Sequence, residues 1–170
     1  MPGFPADDDP LAAEIGELLV ARDARLAIAE TTAGGLISAR LLSVPGASRW
    51  FDRGFVAYSG PAKLESLQMD REVLREHGAV SPRAVAAMAE AACKVSGVAY
   101  AIAESGIAGP QTSRRSPKPV GSVVIAVATP AGSVAEEHTF PGSRAEIMGH
   151  IAQRALELLA EALRSSASPP

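Results

Sequence analysis

Leu11, Ile15, Leu18 and Leu19 recur at the spacing of one helical face, so the patterned part of the chain opens on an amphipathic helix. Residues 25–29 form a short apolar run read as a buried strand, and a helix follows at 35–43, closed by Pro45-Gly46. A second strand is expected at 54–58. Pro61 then sits where a first helical turn tolerates proline, which puts Lys63 inside that turn. Residues 70–76 read as a helix ended by Gly78. Ser81-Pro82 starts another, with Val85, Met88, Ala89 and Ala92 as its apolar stripe. Residues 98–103 make a third strand that runs into a loop beginning at Ser105. Residues 120–128 are nearly all apolar, as in a central strand covered on both faces. Residues 133–140 pair with them as a hairpin across Pro130-Ala131-Gly132. A long helix at 144–164 carries Ile147, Ile151, Ala155, Leu158, Leu159 and Ala162 on one face. This alternation predicts the α/β class: one domain over residues 11–164, a three-layer α/β/α sandwich on a mixed sheet. Residues 1–10 and 165–170, rich in Pro, Asp, Ser and Ala, are expected to be loose ends, and 111–119 an exposed mobile loop.

Composition narrows the function. A chain of 170 residues that is 47% hydrophobic suits a single domain with a sizeable core. Aromatic content is only 4%, so Ala, Val, Leu and Ile must fill that core, and no aromatic platform for stacking bases is expected. The net charge of −3 and the scattered basic residues argue against nucleic acid as a partner. Charged residues, glycine or proline interrupt every apolar stretch short of membrane-spanning length. The one cysteine, Cys93, has no internal disulfide partner, and the acidic, Pro-rich start lacks a signal-peptide core, which points to the cytoplasm. Cys93 follows an alanine-rich helical face and reads as a small core residue. His77, His138 and His150 are far apart and lack companions at ligand spacing, so neither a metal nor a cofactor is expected.

Three polar stretches each follow an apolar run: 29–35 (Ala-Glu-Thr-Thr-Ala-Gly-Gly), 58–63 (Tyr-Ser-Gly-Pro-Ala-Lys) and 105–110 (Ser-Gly-Ile-Ala-Gly-Pro). Strand ends are where open α/β sheets bind ligands, so the three are expected to share one site for a small molecule. In the first, amides near Gly34 and Gly35 at a helix start favour an anion such as a phosphate. The plainer alternative is a threonine cap with glycines easing the turn. Lys63, close behind Tyr58, serves as a general base if burial lowers its proton affinity; otherwise it is a solvated surface lysine. Ser105 and Gly106 offer a hydroxyl and an amide for an oxyanion, or else a simple turn. Glu104, ending a buried strand, needs a partner, which Lys63 or Arg144 could supply. Arg144, at the head of the last helix, is placed to reach an anion.

Taken in order, these motifs resemble the CinA C-terminal domain, the nicotinamide-nucleotide amidase family. The likeness runs from Leu11 to Leu163 and includes Val44-Pro45-Gly46-Ala47-Ser48, Tyr58-Ser59 with Lys63, His77-Gly78-Ala79-Val80-Ser81, Gly106-Ile107-Ala108-Gly109-Pro110 and Lys118-Pro119-Val120-Gly121. The resemblance implies an α/β/α sandwich that forms a homodimer and takes a small-molecule pyridine nucleotide. It implies metal-independent hydrolysis of the carboxamide of nicotinamide mononucleotide to nicotinic acid mononucleotide and ammonia. It places the nucleophile on Thr31 and its tyrosine and lysine on Tyr58 and Lys63, with Glu30, Thr32, Gly34, Gly35, Ser105, Gly106 and Arg144 around the substrate. The chain departs from the family pattern Glu-Ser-Cys-Thr-Gly-Gly in having Thr31 for the serine and Ala33 for the threonine. Gln111-Thr112-Ser113-Arg114-Arg115 replaces a glycine run. A β-branched nucleophile is stiffer about χ1. The alternative is therefore a relative that binds a nucleotide without turnover.

Overall fold

The structure, a computed structural model, describes residues 8–110 and 117–165. Expectations for residues 1–7, 111–116 and 166–170 lie outside the described residues. Helix α1 (Pro10–Val20) leads into β1 (Leu26–Glu30), α2 (Leu36–Leu42), a short 3-10 turn at Ala47–Arg49 and β2 (Phe51–Val56). Then come α3 (Gly60–Ser66), α4 (Arg71–His77), α5 (Pro82–Ser96), β3 (Tyr100–Gly106), the hairpin β4 (Ser122–Thr129) with β5 (Gly132–Thr139), and α6 (Arg144–Ser165). Among the described residues no helix is long and apolar enough to cross a membrane.

The sheet runs β2-β1-β3-β4-β5, with β2, β1 and β3 parallel and β4 and β5 antiparallel. From β1 the chain steps outward to β2 and then returns past β1 to β3. Right-handed crossovers taken in opposite directions lay their helices on opposite faces. Accordingly α2 packs with α1 and α6 on one face and α5 covers the other, giving the three layers. The side-chain alternation that drives this is visible in Leu26-Ala27-Ile28-Ala29 and Tyr100-Ala101-Ile102-Ala103. The large residues face α1, α2 and α6, while the alanines face Val85, Met88, Ala89 and Ala92 of α5. The alanines of the sheet on this face, met by Ala89 and Ala92 as well as by Val85 and Met88, let α5 lie close to the sheet.

Several boundaries differ from expectation. Strand β2 starts at Phe51 because Gly54 is interior to it: a Cβ there would lie 2.4 Å from Ser38 Oγ of α2, so this glycine marks a close approach. Strand β3 starts at Tyr100, since Val98 N still bonds Cys93 O and Gly97 is the left-handed cap of α5. It runs on through Ser105 and Gly106, expected as loop, because β4 pairs with it as far as Gly106 opposite Val123. Asp9, expected to be loose, caps α1 through Ala12 N and pairs with Arg40 at 2.7 Å. Ser165 is still helical.

Candidate active site

Glu30 ends β1 fully buried, with its carboxylate turned onto the start of α2. Its Oε2 accepts from the amides of Gly35 (2.8 Å) and Ile37 (3.1 Å). Its Oε1 accepts from Ser38 N (2.9 Å) and Ser38 Oγ (2.6 Å). Gly35, at φ 102°, supplies no side-chain cap, so the carboxylate satisfies the orphan donors of the helix and meets its positive end. This corrects the expected phosphate seat: at Gly35 the anion is the chain's own Glu30, and that residue is a buried cap.

The turn beyond β1 is held by a second carboxylate. Glu104, on β3 and fully buried, accepts from Thr31 N (2.5 Å) and Ala33 N (2.8 Å) through Oε1. Its Oε2 is equally buried and has no hydrogen-bond partner. Removal from water pushes the Glu104 carboxyl up to about 7; the Ala33 and Thr31 amides oppose that, and the charge of Glu30 adds to it. Thr31 Oγ1 donates to the Glu104 carbonyl at 3.1 Å and lies 3.2 Å from Thr32 Oγ1, both hydroxyls being buried.

Lys63 is 4% exposed, and its ammonium donates to the carbonyls of Ala57 (3.0 Å) and Tyr58 (3.3 Å). Burial lowers its proton affinity from the usual lysine value, and the charge of Glu104 opposes that fall. Thr31 and Lys63 are not hydrogen-bonded to each other: Thr31 is engaged by Glu104 and Thr32, Lys63 by the two carbonyls. Ser105 is buried on β3, on the sheet face of Ala101 and Ala103. Gly106 is wedged against β4, where a Cβ would lie 2.7 Å from Val123 Cγ2, which gives this glycine a packing reason of its own.

Tyr58, 64% exposed, accepts from Arg144 at 3.3 Å. Arg144 also donates to the Gly109 carbonyl at 2.7 Å, so it ties the segments after β2 and β3 to the head of α6. Thr31, Thr32, Ser105 and Lys63 are thus buried at one end of the parallel strands, and Arg144 joins Tyr58 to Gly109 at the same end. The residue that sequence reasoning flagged without a role is Glu104; a carboxylate inside an apolar strand was its signal. Cys93 lies away from this end, half-buried, and burial pushes its thiol up to about 11, which disfavours the nucleophilic thiolate. Among the described residues no three His, Cys, Asp or Glu side chains gather where a metal ion could sit.

The family model of the CinA C-terminal domain matches residues 8–163, nearly the whole chain. The chain belongs to the CinA C-terminal domain family. A CinA-like protein of Syntrophobacter fumaroxidans is 46% identical over 153 residues, covering 90% of this chain and 36% of that protein. One of Frankia casuarinae is 41% identical, covering 89% and 35%. The chain thus spans about a third of these relatives' length. The crystal structure of competence/damage inducible protein CihA from Agrobacterium tumefaciens superposes with a TM-score of 0.87 at 35% identity, covering 97% of this chain and all of that one. Competence damage-inducible protein A from Klebsiella pneumoniae gives 0.86 at 32%, covering 92% and 96%. The single-domain α/β fold on a mixed sheet is therefore that of CinA structures.

Proposed function

We propose that this CinA domain is a nicotinamide-nucleotide amidase, hydrolysing the carboxamide of nicotinamide mononucleotide to the carboxylate and ammonia. The observation that carries the reading is a buried lysine of lowered proton affinity at the same strand ends as a buried hydroxyl. Thr31 Oγ1 attacks the carboxamide carbon while its proton passes to neutral Lys63. The C–N bond then breaks, and ammonia leaves with that proton. Water hydrolyses the resulting ester, giving its proton to Lys63 and then to the departing Thr31 oxygen, which releases the acid. For the first step Lys63 exchanges its longer bond, to the Tyr58 carbonyl, for Thr31. Arg144, beside Tyr58, pairs with an anionic group of the ligand.

A second reading, nucleotide binding without turnover, has its own support: Thr31 Oγ1 is held by the Glu104 carbonyl, and the turn amides that would cradle an oxyanion are filled by Glu104. Ammonia release from nicotinamide mononucleotide, measured beside calorimetric binding, separates the two. Release that is lost in Thr31→Ala while binding persists supports the amidase. Binding without release in the wild type supports the second reading, and no binding refutes both.

A further inference from the structure

The amidase reading uses Thr31, Lys63 and Tyr58 and leaves Glu104 without a task. Its surroundings differ from those of Glu30. Four donors fill the Glu30 oxygens, whereas Glu104 has two amides on Oε1 and a buried, unpartnered Oε2. A dry carboxylate oxygen without a donor is costly, so this one favours a bound proton. Across β3 the Glu104 backbone pairs with Ile125 of β4. Ala103 lies beside Ala29 of β1, which brings Glu104 alongside Glu30. The face of α6 packed on the sheet is apolar, with Ile147 and Ile151, and Arg144 at its head is engaged by Gly109 and Tyr58. The facing face of α5 is likewise apolar, with Val85 and Met88. Lys63 Nζ bonds the Ala57 carbonyl, and Ala57 N bonds the Glu30 carbonyl, which places the ammonium against the end of β1, the strand next to Glu104. Glu30 disfavours a second negative charge on Glu104, and the charge of Glu104 in turn raises the proton affinity of Lys63.

We propose that Glu104 is a positioning residue with two tasks: one oxygen clamps the Thr31–Ala33 turn, and the other, by holding or releasing a proton, sets whether Lys63 is free to lose its own. Ionised Glu104 attracts the ammonium and keeps Lys63 protonated; protonated Glu104 lets burial drive Lys63 toward the neutral amine that can act as base. The inference deepens the amidase reading and rests on it for its catalytic meaning, but its test does not require turnover.

The chain has three lysines, Lys63, Lys94 and Lys118, so 13Cε-lysine labelling gives three signals, and the one missing in Lys63→Met is assigned. Glu104→Gln keeps an acceptor for the turn amides and removes the charge. Its Lys63 titration midpoint should move to lower pH than in the wild type, while exchange protection of the Thr31 and Ala33 amides persists. Glu104→Ala should move the midpoint the same way and lose the protection. An unmoved midpoint in Glu104→Gln would overturn the proposal and leave Glu104 a clamp alone. Should Glu104→Gln fail to fold, the wild type decides: a 13Cδ-glutamate signal titrating near neutrality must coincide with an inflection in the Lys63 signal, and its absence overturns the coupling. If nicotinamide mononucleotide is hydrolysed, the rising limb of the rate–pH profile moves to lower pH in Glu104→Gln. A displaced Lys63 midpoint with no hydrolysis by any form rejects the amidase and keeps the coupling.

Discussion

Replacing Glu104 by Gln should change how stability depends on pH. In the folded chain burial raises this carboxyl from the ordinary 4.5 to about 7, so the native state holds a proton that the unfolded chain has already released. Stability from this group is fully present below pH 4.5 and is lost as pH rises through about 7. A displacement from 4.5 to about 7, at about 1.4 kcal/mol per pH unit, corresponds to roughly 3 kcal/mol in full, of which roughly 2.5 kcal/mol falls between about pH 5 and about pH 8.5. Glutamine retains the acceptor for Thr31 N and Ala33 N, and any cost of burying its NH2 group is the same at both pH values. Carboxylates held low by arginine, such as Asp9 and Glu136, titrate in the opposite sense but are common to both proteins. Urea denaturation of wild type and variant at the two pH values reads the effect, and a Lys63 midpoint lowered in the variant adds to it in the same sense. The variant should gain at least roughly 2.5 kcal/mol relative to the wild type on going to the higher pH. Equal pH dependence in the two proteins would refute the argument that Glu104 is dry and unpaired.

Lys63→Ala should lower the ammonia-release kcat by about a hundredfold or more, as expected for loss of a general base, and chelator should leave the wild-type rate unchanged. Gly106→Ala drives a Cβ to 2.7 Å from Val123 Cγ2 and 2.9 Å from the Ser122 carbonyl, so it should cost about 1–3 kcal/mol in thermal or urea denaturation. Gly60→Ala, with no atom within 4 Å of the added Cβ, should cost nothing measurable. Ala33→Thr, which restores the family residue at a fully buried position, should lose about 1–3 kcal/mol by overpacking, so Thr31→Ser alone is the cleaner test of the nucleophile.

The layers were legible because Ile28 and Ile102 alternate with alanines at strand period, a pattern that survives any detail of packing. The sequence also brought Thr31, Lys63 and Ser105 to one end of the sheet, since each follows an apolar run. Gly54 misled because a glycine inside an edge strand looks like a strand start until Ser38 of a neighbouring helix is seen against it. The roles of Glu30 and Glu104 were not readable for a related reason. A glutamate at a strand end announces a need for donors, but which amides answer depends on the path of the next turn. Arg144 finds Tyr58 across 86 residues, a pairing no local pattern encodes.

The Thr31–Ala33 turn is fastened by its Thr31 and Ala33 amides to the Glu104 carboxylate, while Glu30 holds the helix start just beyond it; neither carboxylate bonds a side chain of residues 31–33, and the Thr31 hydroxyl meets the Glu104 main-chain carbonyl, as a serine hydroxyl would. Its bonding is consequently insulated from the identity of the side chains at 31 and 32. Mutational drift at positions 31 and 32 alters which reactive group is displayed while the loop that displays it stays put. Such a scaffold is evolvable: a lineage can exchange serine for threonine, or abandon the nucleophile, without first surviving the loss of the fold.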